Sequence, residues 1–434
     1  MKKETLYATL VNIFGGCIYG FNTGIVAGLT SPLVQYTIPH EEWSQTTTDV
    51  YIGLFNAIIL IFATFGSPLS VWIANKKGIK MSLIITALIG IICPLLLIVY
   101  LNYWYMVIIR GLLGLAIGFS TAICPMYTST IVPEESKGKV TTLFQLSICG
   151  SICLAQIFNF FFTSSDEDSH LPLTFLQYGM QLGISSVFGI ALLITMIFAP
   201  NAHPDARKVA SSLSLIVKPI DKEKSNVLFA PHNFKWLFFS FMLAVMNQLT
   251  GINGVVFYAP RILKDAGVEN ALLIQILLVG GWNTVTVFIF MALVDKLSRK
   301  TILNVSLGLM AIGSILMVLS NAINGLVVCA FVGIVFFILG FEVGPGPLFF
   351  VMASQDFPKP LFDQGLSIAN VFVWILNTLL SFTFPIITGA LGATYTFTIL
   401  GAIQLLCILY FDLSMKNGHM STGESTAKLI TAEP

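Results

Sequence analysis

Three amide side chains, Asn247, Gln248 and Asn253, fall within seven residues of an otherwise apolar run from Trp236 to Ile262. Two glycines, Gly251 and Gly254, are interleaved with them, and the run continues through Phe257-Tyr258-Ala259-Pro260. An amide in hydrocarbon is costly unless it finds partners. Glycine and proline nearby loosen a helix and release backbone groups toward a ligand. The combination points to a broken membrane helix that turns neutral hydrogen-bonding groups toward a polar, uncharged ligand. The competing reading is that the amides bridge neighbouring helices, and the stretch alone leaves both open.

Other chemistry is sparse. The chain has no GxSxG, no HExxH, no phosphate-binding GxxxxGK and no paired acids in an apolar run, and its five histidines sit outside such runs. No enzyme is expected, and neither a cofactor nor a metal. Two ionisable residues lie deep in apolar segments: Arg110, in Arg110-Gly111-Leu112-Leu113-Gly114-Leu115-Ala116-Ile117-Gly118, and Glu342, in Phe341-Glu342-Val343-Gly344-Pro345-Gly346-Pro347. Charges placed there are expensive and usually functional. Pro345 and Pro347 should break their helix, as a moving element or as a fixed kink. Gly20, Gly24, Gly28, Gly114 and Gly118 are read as close helix packing. The seven cysteines all fall in apolar runs, which speaks against a disulfide framework.

These residues need a scaffold that the composition identifies. The chain is 56% hydrophobic and only 10% charged, where a soluble domain carries about 25% charged residues; mean hydropathy is +0.86. An all-α membrane protein follows. Runs of about 20 apolar residues mark twelve spans near 7–34, 50–74, 81–101, 103–130, 139–163, 171–199, 235–264, 270–294, 301–320, 324–354, 364–387 and 391–413. The first is expected to be retained rather than cleaved as a signal. Lys and Arg concentrate in alternate loops, which places both termini in the cytoplasm; Arg261 and Lys264 are the exceptions on the outer side. A net charge of +1 gives no reason to expect nucleic acid.

Asn75-Lys76-Lys77-Gly78-Ile79-Lys80 follows the second span, and Asp295-Lys296-Leu297-Ser298-Arg299-Lys300 follows the eighth, 220 residues on. Their matched register implies a duplicated half. We therefore expect a six-helix bundle over 1–199, a cytoplasmic linker over 200–234, a second pseudo-symmetric bundle over 235–415 and a short cytoplasmic tail over 416–434. Two such halves around a polar cleft describe an alternating-access carrier.

These motifs together resemble the sugar porter family of the major facilitator superfamily, the facilitative glucose transporters in particular. Gly20-Phe21-Asn22-Thr23-Gly24 is similar to the family's first-span signature, the two loop motifs to its paired inner loops, and Arg110–Gly118 to its fourth-span motif. Pro125-Met126-Tyr127, Gln145 through Gln156, Trp282-Asn283-Thr284 and Trp374 with Asn377 complete the order. The resemblance implies sugar contacts from Gln145, Ile148, Ile152, Gln248, Asn253, Asn283, Glu342, Trp374 and Asn377. Asn247 stands where Gln is common, and Phe350 where Trp is; both are added to the expected site. Tyr258, Pro345 and Pro347 are assigned to gating, and Asn75, Lys76, Asp295, Lys296 and Arg299 to the inner loops. Thr130, Gln355 and Phe362 replace members of the family's inner charge network, which implies a weaker latch there. Amides suit hydroxyls, and an aromatic face suits a sugar's C–H face. Four or five hydrogen bonds of about 0.5–1.5 kcal/mol each, less association costs, leave about −4 kcal/mol, a Kd around 1 mM.

Proton-linked relatives of this kind carry Asp at position 22. Here Asn22 cannot ionise, so Arg110 lacks an acid from the first span, and the coupling position is neutral. The expected function is therefore hexose uniport, with glucose the leading cargo and the plasma membrane the expected location. The alternatives are a proton-coupled sugar or polyol symporter and, ranked lowest, a non-transporting sugar sensor. The expected partners are a monosaccharide and the lipid bilayer; the sequence leaves the oligomeric state open.

Overall fold

The computed structural model describes residues 3–38, 45–162, 174–201, 231–265, 270–293, 297–323, 326–355 and 362–416. All regular elements among them are helical, as they must be where no water can satisfy an open backbone. Span 1 is Lys3–Gly24 with Val26–Thr37, span 2 Gln45–Lys77, span 3 Ile79–Leu97, span 4 Tyr103–Ile131, span 5 Glu134–Phe162, and span 6 Phe175–Gly183 with Ser186–Phe198. Span 7 joins Phe234–Ala244, Val245–Leu249 and Ile252–Asp265; span 8 joins Ala271–Gln275, Ile276–Trp282 and Asn283–Leu293. Span 9 is Arg299–Ala322, and span 10 is Val327–Val343 with Pro345–Gln355. The last helix, Phe362–Lys416, turns at Gly392, whose φ of 83° is open to glycine and strained for other residues. That turn makes spans 11 and 12. The expected linker lies mainly in residues 202–230, outside the described residues, as do residues 417–434 of the expected tail.

Two breaks were not expected. Span 1 bends by 47° around Ile25. Span 6 is interrupted at Ile184–Ser185, where the Ser185 and Ser186 hydroxyls donate back to the carbonyls of Leu182 (3.1 Å) and Gly183 (2.7 Å). Such back-bonding competes with the helix ladder. The breaks in spans 7 and 10 fall where glycine and proline predict them. Gly251 adopts φ 107°, and Gly344 leaves the helical region just before Pro345, which then opens the second half-helix where its missing N–H costs nothing.

Packing explains the small residues. A Cβ on Gly20 would stand 2.2 Å from the Ile148 carbonyl oxygen, and one on Gly28 would stand 2.7 Å from Asn159, so span 1 lies directly on span 5. Gly114 and Gly118 seat span 4 on span 2 in the same way, against the carbonyls of Ile59 and Ala63 at 2.1 and 2.3 Å.

Each loop motif is tied to the end of a later span. Lys80, the last base of the first loop motif, donates to the Ala199 carbonyl at the end of span 6 (2.7 Å). Lys300, its counterpart, pairs with Asp412 at the end of span 12 (2.7 Å). Asn75 and Lys76 are exposed, with the Lys76 ammonium 4.0 Å from the Trp72 ring centre. Arg299 begins span 9, capped by the Ser298 hydroxyl; Asp295 and Lys296 lie outside the described residues. The halves meet where span 2 packs on span 11 and span 5 on span 8.

Candidate functional site

The amides of span 7 sit on an irregular stretch of helix. Val245–Leu249 is wound as a π-helix, and Gly251 then breaks the span. Widened turns of this kind are frequent at functional sites. They turn Asn247 and Gln248 inward, where they are 6% and 7% exposed. Asn253, beyond the break, closes the group: its Nδ2 donates to Gln248 Oε1 (2.8 Å) and to Asn377 Oδ1 of span 11 (2.8 Å). The Ser381 hydroxyl also donates to Asn377 Oδ1 (3.2 Å). Gln248 Nε2 donates to Asn247 Oδ1 (2.6 Å), and Asn247 Nδ2 donates to the Pro345 carbonyl of span 10 (2.9 Å). One string of neutral amides thus runs through three spans. Each amide nitrogen carries two protons and each oxygen two lone pairs, so the string keeps unused donors and acceptors. The second proton of Gln248, both of Asn377 and the oxygen of Asn253 are among them.

Span 8 repeats the device. Ile276–Trp282 is π-wound and ends at Asn283, which is 2% exposed and has no hydrogen-bond partner for its Oδ1. Trp282 Nε1 ties this stretch to the Val335 carbonyl of span 10 (2.9 Å). Glu342, on span 10, is 5% exposed. On span 5, Ile148 and Ile152 are buried, and half-buried Gln145 makes a long contact to Cys149 Sγ (3.6 Å). Trp374 is half-buried on span 11, in the same helix as Asn377. The side chains of Phe350, Gln355 and Phe362 lie outside the described set. Thr130 spends its hydroxyl on the Met126 carbonyl of its own helix (2.8 Å).

Arg110 is 1% exposed. Its Nε donates to the Phe55 carbonyl and its Nη2 to the Asn22 carbonyl, both at 3.0 Å, and the guanidinium carbon stands 5.0 Å from the Phe55 ring centre. Nη1 has no hydrogen-bond partner. The Asn22 side chain turns away to the Ile18 carbonyl (2.8 Å). Among the described residues, no carboxylate pairs with this cation. Carbonyls and an aromatic face supply a weaker counterweight.

A seal that was not expected lies at the end of the bundle opposite residue 3. Asp49 of span 2 pairs with Arg261 of span 7 (2.6 Å). Asn56 Nδ2 donates to the Tyr258 hydroxyl (2.8 Å), which donates to the Ser381 carbonyl (3.0 Å), while the Thr30 hydroxyl donates to Asn56 Oδ1 (2.9 Å). Tyr258 stacks on Phe384 at 5.3 Å. Spans 1, 2, 7 and 11 are thereby joined across the two halves. Arg261 was the signal: a base on the side otherwise nearly free of them needs a partner.

A family model described as "Sugar (and other) transporter" matches residues 8–417. The galactose-proton symporter of Escherichia coli strain K12 is 27% identical over 94% of this chain and 90% of its own length. The glucose transporter GlcP of Staphylococcus epidermidis is 26% identical over 94% of each. In shape, the chain is similar to the inward-open xylose transporter XylE of E. coli, with a TM-score of 0.78 at 22% identity over 94% of this chain and 95% of that one. With the twelve spans and their fold described, the match over nearly the whole length leads to one assignment: this chain belongs to the sugar transporter family of the major facilitator superfamily.

Proposed function

We propose that this sugar transporter is a hexose uniporter, with glucose its leading cargo, working by alternating access. The observation that carries the reading is the neutral amide string of buried Gln248 and Asn377 with half-buried Asn253, hydrogen-bonded across spans 7 and 11. Its spare donors and acceptors suit the hydroxyls of a monosaccharide. Gln145, Ile148, Ile152, Asn283, Glu342, Phe350 and Trp374 are assigned to the same pocket. Bundles 1–199 and 235–415 would rock about it, joined by the 200–234 linker. With both termini in the cytoplasm of a plasma-membrane protein, the Asp49–Arg261 seal closes the outer end, and the described conformation faces inward.

Uniport rests on Asn22 and Arg110. A proton-coupled carrier needs a titrating group in its pathway, and position 22 offers none. The relative named as a galactose-proton symporter favours a second reading, proton symport, for which Glu342 would be the remaining acid. Purified protein in proteoliposomes separates the two. Uniport predicts labelled glucose equilibrating without accumulation under an imposed proton gradient, and competition by unlabelled hexoses ranks the cargo. Uphill accumulation driven by the gradient would establish symport.

A further inference from the structure

Asn247 differs from the other amides in where its bonds go. Its Nδ2 donates to the carbonyls of Pro345 (2.9 Å) and Gly346 (3.4 Å), the first two residues of the second half-helix of span 10. Its Oδ1 accepts from Gln248 Nε2 (2.6 Å). Both of its protons and one of its lone pairs are committed inside the protein, and the side chain is only 6% exposed. Gln248, Asn253 and Asn377 retain free groups; Asn247 is the link that fastens them to the Gly344–Pro345 break. That break is where span 10 leaves helical geometry among the described residues. Gly344 is non-helical, and neither Pro345 nor Pro347 has an N–H to donate.

We infer that Asn247 is a positioning residue that couples occupancy of the sugar site at Gln248 to movement of the Pro345–Gln355 half-helix, rather than a sugar ligand. A hydroxyl arriving at Gln248 competes for the amide bonds of the string. Gln248 then shifts against Asn247 Oδ1, and the Asn247 side chain, with two bonds to span 10, moves the joint with it. A short side chain suits this work, because Asn has one fewer rotatable bond than Gln and transmits displacement with less slack. The inference rests on sugar transport and on Gln248 as a sugar contact.

The test separates binding from turnover in the full-length purified chain, using whichever of D-glucose, D-galactose and D-xylose the wild type carries. If that sugar is xylose alone, the hexose reading fails while this inference is still measured. Asn247→Ala should change the equilibrium Kd by less than about threefold and lower turnover at saturating sugar by tenfold or more. Gln248→Ala should weaken the Kd at least tenfold and, because it removes the first link of the coupling, lower turnover as well. Asn247→Ser, whose hydroxyl donates to only one carbonyl, should show the same split at smaller size, and it carries the test if the alanine variant does not reach the membrane. A tenfold loss of affinity with unchanged turnover in Asn247→Ala would make it a direct ligand. No change in either quantity would leave it a packing amide. Each of these two results overturns the inference.

Discussion

The seal between spans 2 and 11 should be sensitive to a single methyl group. A Cβ on Gly53 would stand 2.3 Å from the Phe382 carbonyl oxygen and 3.2 Å from its carbon. A carbon and a carbonyl oxygen rest no closer than about 3.3 Å, so Gly53→Ala must part the two helices by about 1 Å. The obstacle is backbone, which cannot rotate out of the way. Overpacking of this kind costs about 1–3 kcal/mol. The cost falls only on the conformation in which this end is shut, so the equilibrium between shut and open should move by about 5- to 150-fold. Spin labels at the exposed positions Thr46 and Leu391, in a chain whose native cysteines have been replaced, would report it. Electron–electron resonance distances should gain a longer component, and the sugar affinity measured from the opened side should rise. Gly308→Ala serves as the control, because nothing lies within 4 Å of its Cβ position. An unchanged distance distribution for Gly53→Ala, matching the control, would show that these contacts do not hold the end closed.

Three further outcomes follow from the site and the seal. Gln248→Ala should reach the membrane but weaken sugar uptake affinity at least tenfold, checked by the concentration dependence of labelled uptake. Asn22→Asp would place a carboxylate beside an arginine whose Nη1 has no hydrogen-bond partner; it should raise the thermal midpoint and make uptake depend on external pH, whereas the wild type should show no such dependence. Arg261→Gln removes the cation paired with the fully buried side chain of Asp49. Discounted for the partial exposure of Arg261, the loss should be about 1–3 kcal/mol. Adding Asp49→Asn should recover part of it, and additive losses in the thermal double-mutant cycle would deny the coupling.

Much of the scaffold was legible because a bilayer leaves so few solutions. Apolar length set the number of spans, and the gap expected between residues 387 and 391 falls just before the turn at Gly392. Spans 7 and 10 announced their breaks through Gly251 and Pro345, residues whose backbone chemistry is local. The bend near Ile25 and the interruption of span 6 had no comparable signal, since they depend on how neighbours press on an ordinary helical run. The same holds for the π-winding before Asn283, which glycine content alone does not specify. Partnerships were least legible. Asp49 and Arg261 are 212 positions apart, and only the odd placement of Arg261 hinted at a mate. Asn247 was expected among the sugar contacts; that its nitrogen reaches span 10 could be learned only from the fold.

Arg110 has one more consequence. Its guanidinium is held by the carbonyls of Phe55 and Asn22 on neighbouring helices, so the fixed positive charge stays put as cargo passes. A stationary charge does no work against the membrane voltage. If the carrier is the uniporter proposed above, a neutral cargo moves no net charge as it crosses, and the cell's resting potential gives it no preferred direction.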